Sequence, residues 1–201
     1  MSTGGDGGGP SPLEVVARVV TMLEDLGVDY VIGGSLASSF FGEPRSTADV
    51  DVAIRVSADT VEQLLDRAAR DFYLPDESAR HAIRDHGSFN LIDVDLPFKV
   101  DLFVLGDGIL DRNQLSRRVQ VPVPGLGLDL WVTSPEDQVL RKLDRYRAGG
   151  GHSERQWRDV IGLLKVQADH FDWTYAEATA ASTGLEALMG RARHEVESGI
   201  S

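Results

Sequence analysis

Apolar positions recur every three to four residues from Leu13 to Leu26, through Val15, Val16, Val19, Val20 and Leu23, and Gly27 follows as a stop signal, which predicts an opening helix. Val28 to Ile32 is a short apolar strand. Gly33, Gly34 and Ser35 then turn the chain into a second apolar helix through Leu36, Ala37, Phe40 and Phe41. After a polar loop from Gly42 to Thr47, Val50, Val52 and Ile54 alternate with Asp49, Asp51 and Ala53, as in a strand. Helical spacing returns from Asp59 to Phe72 and around Ala79 to His86. Two strands follow, Phe89 to Val94 and Lys99 to Leu105, then a hairpin of Val119 to Pro122 with Leu128 to Val132.

From Ser134 the pattern is helical throughout. Ser134, Pro135 and Glu136 read as an N-cap, a first-turn proline and a first-turn acid of a helix running to about Arg147. Gly149 to Gly151 separates it from an amphipathic segment through Val160, Ile161, Leu163, Leu164 and Val166, with further helices over Tyr175 to Val196. The expected architecture is α/β, a mixed sheet flanked by helices and followed by a small helical region. Residues 1–12 are expected to form a disordered glycine-rich tail, 13–132 the α/β core and 133–201 the helical part.

Composition narrows the chemistry. With no cysteine among 201 residues, a bound metal would have to take oxygen or imidazole ligands, which favours hard cations. The formal charge of −12 argues against a wide nucleic-acid surface and for a small or cationic acceptor. No apolar run approaches a membrane span and the amino terminus lacks an export signal, so the expected location is cytoplasmic.

Asp49 and Asp51 share one strand face, roughly 6.6 Å apart at two residue rises, a separation suited to Mg²⁺. Asp101 interrupts the apolar string Val100 to Leu105 in what should be a neighbouring strand. A lone carboxylate there needs a metal or an adjacent lysine to offset its burial. Gly33 and Gly34 permit close backbone approach, and Ser35 opens a helix whose amides favour an anion. Other polar groups have blander readings. Asp93 and Asp95 are expected on a hairpin surface, the basic cluster Arg141 to Arg158 on a solvated helical face, and Trp157 in a core. The five histidines show no paired helical spacing for zinc.

Gly33-Gly34-Ser35, then Arg45, Thr47, Asp49 and Asp51, then Lys99-Val100-Asp101, resemble the DNA polymerase β-like nucleotidyltransferase superfamily. The run from Gly42 to Asp51, with Lys142 and Arg158-Asp159, is similar to the branch of AbiEii-type toxins and stand-alone relatives. The resemblance implies a two-metal Mg²⁺ mechanism, with Mn²⁺ as a substitute, in which Asp49, Asp51 and Asp101 hold the ions. A nucleoside monophosphate would pass from a triphosphate to a hydroxyl acceptor: a small molecule, a protein side chain or an RNA end. Gly33, Gly34, Ser35, Arg45, Lys142 and Arg158 would bind the nucleotide, and the toxin reading adds an antitoxin partner. The competing reading is a catalytically silent triphosphate-binding or protein-interaction module of the same fold.

Overall fold

The computed structural model describes residues 11–41, 49–123 and 127–199. Helix α1 (Pro12–Asp25) opens with a reciprocal cap: the Ser11 hydroxyl accepts from the Glu14 amide at 3.3 Å, and the Glu14 carboxylate accepts from the Ser11 amide at 2.6 Å. Pro12, which the sequence reading placed in the tail, is the first helical residue. The helix ends where Gly27 takes a φ of 64° and the Val28 amide returns to the Leu23 carbonyl.

Among the described residues, seven strands form one mixed sheet in the order β3-β4-β5-β2-β1-β7-β6. They are β1 (Asp29–Ile32), β2 (Asp49–Arg55), β3 (Phe72–Tyr73), β4 (Ser88–Asp93), β5 (Lys99–Val104), β6 (Val119–Val123) and β7 (Leu128–Val132). The central pair, β2 and β5, is parallel. β1 and β4 flank it antiparallel. Strand alternation gives the sheet two different faces. Ile32, Val50, Val52, Ile54, Leu91, Val100 and Leu102 are buried in the main core with α1, α3 (Val61–Asp71) and α4 (Asp76–Arg84). The other face carries Asp49, Asp51 and Asp101 and, further along, a small apolar cluster of Val31, Ala53, Phe103 and Leu105 against Leu115.

Asp93 corrects the sequence reading. It is only 4% exposed, pairs with Arg18, and accepts from the amides of Asp95 and Leu96 at 3.1 and 2.8 Å. Its inward position follows from the alternation that also buries Phe89 and Leu91, so it anchors the β4–β5 turn from below.

Two elements escaped the periodicity. Strand β3 has two residues. Helix α5 (Ile109–Ser116) is mostly polar, with Leu110 entering the helical core and Leu115 the cluster on the sheet. The helical half comprises α6 (Pro135–Ala148), α7 (Glu154–Gln167), α8 (Trp173–Thr183) and α9 (Glu186–Glu197), and it has a separate core around Leu140, Leu143, Val160 and Leu164. Ser134 caps α6, its hydroxyl accepting from the Asp137 amide at 3.2 Å. Among the described residues, no helix is long and apolar enough to cross a membrane.

Candidate active site

The parallel pairing of β2 with β5 sets Asp51 directly opposite Asp101, and Asp49 opposite Lys99, all on the face away from the main core. The Lys99 ammonium lies 2.8 Å from Asp101 Oδ2, while Asp101 Oδ1 is buried without a hydrogen-bond partner. Asp51 Oδ2 faces the Arg145 guanidinium at 3.5 Å, and that guanidinium sits over the Phe103 ring, 5.2 Å from its centroid. The side chains of Asp51 and Asp101 are 24% and 15% exposed, so both are substantially desolvated.

The electrostatics follow from that crowding. Burial pushes the Asp51 pKa up, Arg145 opposes the shift, and the charges of Asp101 and Asp49 add to it. The Asp101 hydrogen bond pushes the Lys99 pKa up, and the charges of Asp49 and Asp51 reinforce it. One field therefore joins all three carboxylates. They form an open row: among the described residues, no three His, Cys, Asp or Glu side chains gather closely enough to enclose a metal ion. The donor set is nevertheless all oxygen, and the unpartnered Asp101 Oδ1 is a free acceptor inside it, which suits a hard divalent cation.

The glycine turn is tied to this row. The Gly33 amide donates to the Asp51 carbonyl at 2.9 Å, and Gly34, at φ 61°, opens α2 (Gly34–Phe41). A Cβ on Gly34 would fall 2.0 Å from Asp51 Oδ2, so only glycine leaves the carboxylate in place. Gln138 fastens the turn from the helical half, donating to the Gly34 carbonyl at 2.6 Å and the Ser38 hydroxyl at 3.1 Å. Ser35 is half-buried in the first turn of α2, beside amides that favour an anion.

No protein-family model matches the chain, and no relative is found among curated proteins. Solved structures do match. An antigenic nucleotidyltransferase-like protein from Paracoccidioides brasiliensis superposes with a TM-score of 0.54 at 20% identity, over 89% of this chain and 92% of that one. The chain has the nucleotidyltransferase fold. The antibiotic-resistance factor ANT(2'')-Ia superposes with a TM-score of 0.51 at 12% identity, over 90% of this chain and 96% of its own.

Within this nucleotidyltransferase fold, the cations differ from the sequence expectation. Lys142 lines the cleft beside Gly33, Gly34 and Asp51, but it is buried and held by Asp159 at 3.0 Å. Burial pushes its pKa down, against the pull of Asp159. Arg158 is exposed and lines a separate cavity with Trp157 and Arg191, so the structure does not bring it to the cleft. Arg45 lies outside the described residues.

Arg145, expected on a solvated face, is instead the cation against Asp51, and 43% of its side chain is open. Arg141 also lines the cleft, paired with Asp111 at 3.0 Å. Gln138, Arg141, Lys142 and Arg145 lie at i, i+3, i+4 and i+7, one stripe of α6. That polar stripe, opposite the apolar Val139, Leu140, Leu143 and Tyr146, is the sequence signal that marks a helix facing a polar cleft.

Proposed function

We propose that this protein transfers a nucleoside monophosphate from a nucleoside triphosphate to a hydroxyl acceptor, with Asp49, Asp51 and Asp101 holding Mg²⁺. The observation carrying this reading is the cross-strand pairing of Asp51 with Asp101 beside a glycine that packs on Asp51. Bound divalent ions would offset triphosphate charge and acidify the attacking hydroxyl. The Gly33–Gly34 turn and the first amides of α2 receive the β and γ phosphates, with Ser35 beside them. Arg145 supplies the mobile positive charge that Lys142, committed to Asp159, does not. Lys142 instead ties α6 to α7 and keeps the polar stripe of α6 in place.

The acceptor hydroxyl attacks the α phosphorus. A new oxygen–phosphorus bond forms, the bond to the β-bridging oxygen breaks, and pyrophosphate departs. Asp101, whose Oδ1 has no hydrogen-bond partner among the described residues, takes the hydroxyl proton. The acceptor approaches over the β4–β3 side of the same face. There Asn90 stands opposite Asp101, Ile92 opposite Lys99, and Tyr73, 61% exposed, opposite Ile92. This half-apolar platform beside an acidic row suits a small hydroxyl-bearing cation, in keeping with the net charge of −12.

Calorimetry with each triphosphate, with and without Mg²⁺, followed by pyrophosphate release with aminoglycosides, a small-molecule extract and RNA, tests the proposal. Release that vanishes in Asp51→Asn and Asp101→Asn supports it. The second reading, a silent binding module, is favoured by the engagement of two of the three carboxylates with Lys99 and Arg145. Mg²⁺-dependent binding without release from any acceptor would establish it. The narrower toxin reading predicts growth arrest on expression, relieved by Asp51→Asn.

A further inference from the structure

The first turn of α6 buries two adjacent carboxylates, Glu136 at 6% exposure and Asp137 at 1%. Both are held from other helices. Asp137 accepts from the Tyr175 hydroxyl of α8 at 2.5 Å and from the Ser134 hydroxyl at 3.0 Å, and Glu136 accepts from the Asp172 amide at the start of α8 at 3.1 Å. Arg117, at the end of α5, serves both acids. Its Nη2 lies 3.4 Å from Glu136 and its Nε 3.5 Å from Asp137, while its guanidinium stacks on the Tyr175 ring, 3.6 Å from the centroid. None of these four side chains lines the carboxylate cleft.

Stability alone does not account for such a network. Two buried charges are costly to desolvate, and apolar residues of similar volume often hold a junction as well. What directed bonds add is a fixed orientation. Contacts from α5 and α8 converge on one turn of α6 and set both its rotation about its own axis and its place over the glycine turn. The next residue, Gln138, begins the polar stripe and donates to the Gly34 carbonyl at 2.6 Å. Gly34 has no slack against Asp51, because even a Cβ there would fall 2.0 Å from Oδ2. A shift in the first turn of α6 therefore passes through Gln138 and Gly34 to the carboxylate row. Misplacement of about 1 Å in such a site can cost roughly a hundredfold.

We propose that Tyr175, acting through Asp137, is a positioning residue for the carboxylate cleft: the network at the start of α6 fixes where Gln138 meets the glycine turn, and so the turn's fit against Asp51. The consequence for nucleotide binding rests on the transferase reading; the consequence for the glycine turn and α2 does not.

The test uses Tyr175→Phe in the full chain, which removes one hydroxyl and keeps the ring under Arg117. Hydrogen exchange without nucleotide, read by mass spectrometry, is expected to quicken about tenfold at the α2 amides in Tyr175→Phe and in Gln138→Ala. The double variant should exchange no faster there than Gln138→Ala alone, because both act on the same bond. Trp157→Phe is the control. It removes another bond from a buried ring to a carboxylate, the indole N–H to Glu195 at 2.9 Å between α7 and α9, and should destabilise the fold while leaving α2 exchange unchanged. In calorimetry with a triphosphate and Mg²⁺, Tyr175→Phe should lose about tenfold in affinity and Trp157→Phe none. A wild type that binds no triphosphate would sink the transferase reading, and the exchange data would still decide the role of Tyr175. The inference is overturned if α2 exchange in Tyr175→Phe equals that of the wild type or of Trp157→Phe, or if its effect adds in full to that of Gln138→Ala.

Discussion

Replacing Gly34 with alanine probes the geometry of the site with one methyl group. Gly27 and Gly34 have nearly the same backbone, with φ of 64° and 61°, so alanine at either position carries a left-handed penalty of about 1–2 kcal/mol. Their surroundings differ. A Cβ at Gly27 meets nothing within 4 Å, whereas at Gly34 it falls 2.0, 2.7 and 3.0 Å from Oδ2, Cγ and Cβ of Asp51. Asp51 cannot retreat with its strand, because its carbonyl is held by the Gly33 amide at 2.9 Å, so its side chain must rotate away. Overpacking of this kind adds about 1–3 kcal/mol, which brings Gly34→Ala to roughly 2–5 kcal/mol. Urea denaturation of both variants measures the stability difference, and calorimetry with a triphosphate and Mg²⁺ tests the proposed nucleotide binding. Gly27→Ala should keep wild-type affinity, and Gly34→Ala should lose at least about tenfold, the equivalent of 1.4 kcal/mol. Equal stability of the two variants, with wild-type affinity in Gly34→Ala, would refute the placement of Asp51 against the turn.

Asp51→Asn should stabilise the metal-free protein near neutral pH. The folded pKa of Asp51 is raised, so its contribution to stability is present in acid and lost as pH rises through that value; the advantage of the variant should shrink toward acid pH in denaturation curves. Lys142→Met should destabilise the protein by breaking the pair with Asp159, and a double-mutant cycle with Asp159→Leu by denaturation should show a coupling of about 0.5–3 kcal/mol between the two. Gln138→Ala removes the donor to the Gly34 carbonyl and should cost about 1–3 kcal/mol together with a loss of triphosphate affinity.

The elements that build the site were legible where pattern and chemistry agreed. Alternation in β2 put Asp49 and Asp51 on one face, and Ser134-Pro135-Glu136 announced α6 through its cap. The register was not legible. Setting Asp101 opposite Asp51 requires β2, which ends at Arg55, and β5, which begins at Lys99, to pair in parallel across intervening helices and strands, and no local signal encodes that choice. Lys142 and Arg145 illustrate a second limit. Both lie on one stripe of α6, and only the packing of α7 decides that Asp159 takes the lysine and leaves the arginine for Asp51. Helix α5 stayed hidden because its two apolar anchors serve two different cores and leave no single periodic stripe. Asp93 lies inside because the alternation that buries Phe89 and Leu91 continues through it, although its place beside the turn that holds Pro97 points to the surface.

The proposal that Asp49, Asp51 and Asp101 hold divalent cations is tested most directly by electron paramagnetic resonance of Mn²⁺ titrated into the protein with each nucleoside triphosphate. A nucleotide-dependent bound Mn²⁺ signal is predicted, weakened at least about tenfold by Asp51→Asn and by Asp101→Asn. Identical Mn²⁺ binding in the wild type and both variants would contradict it.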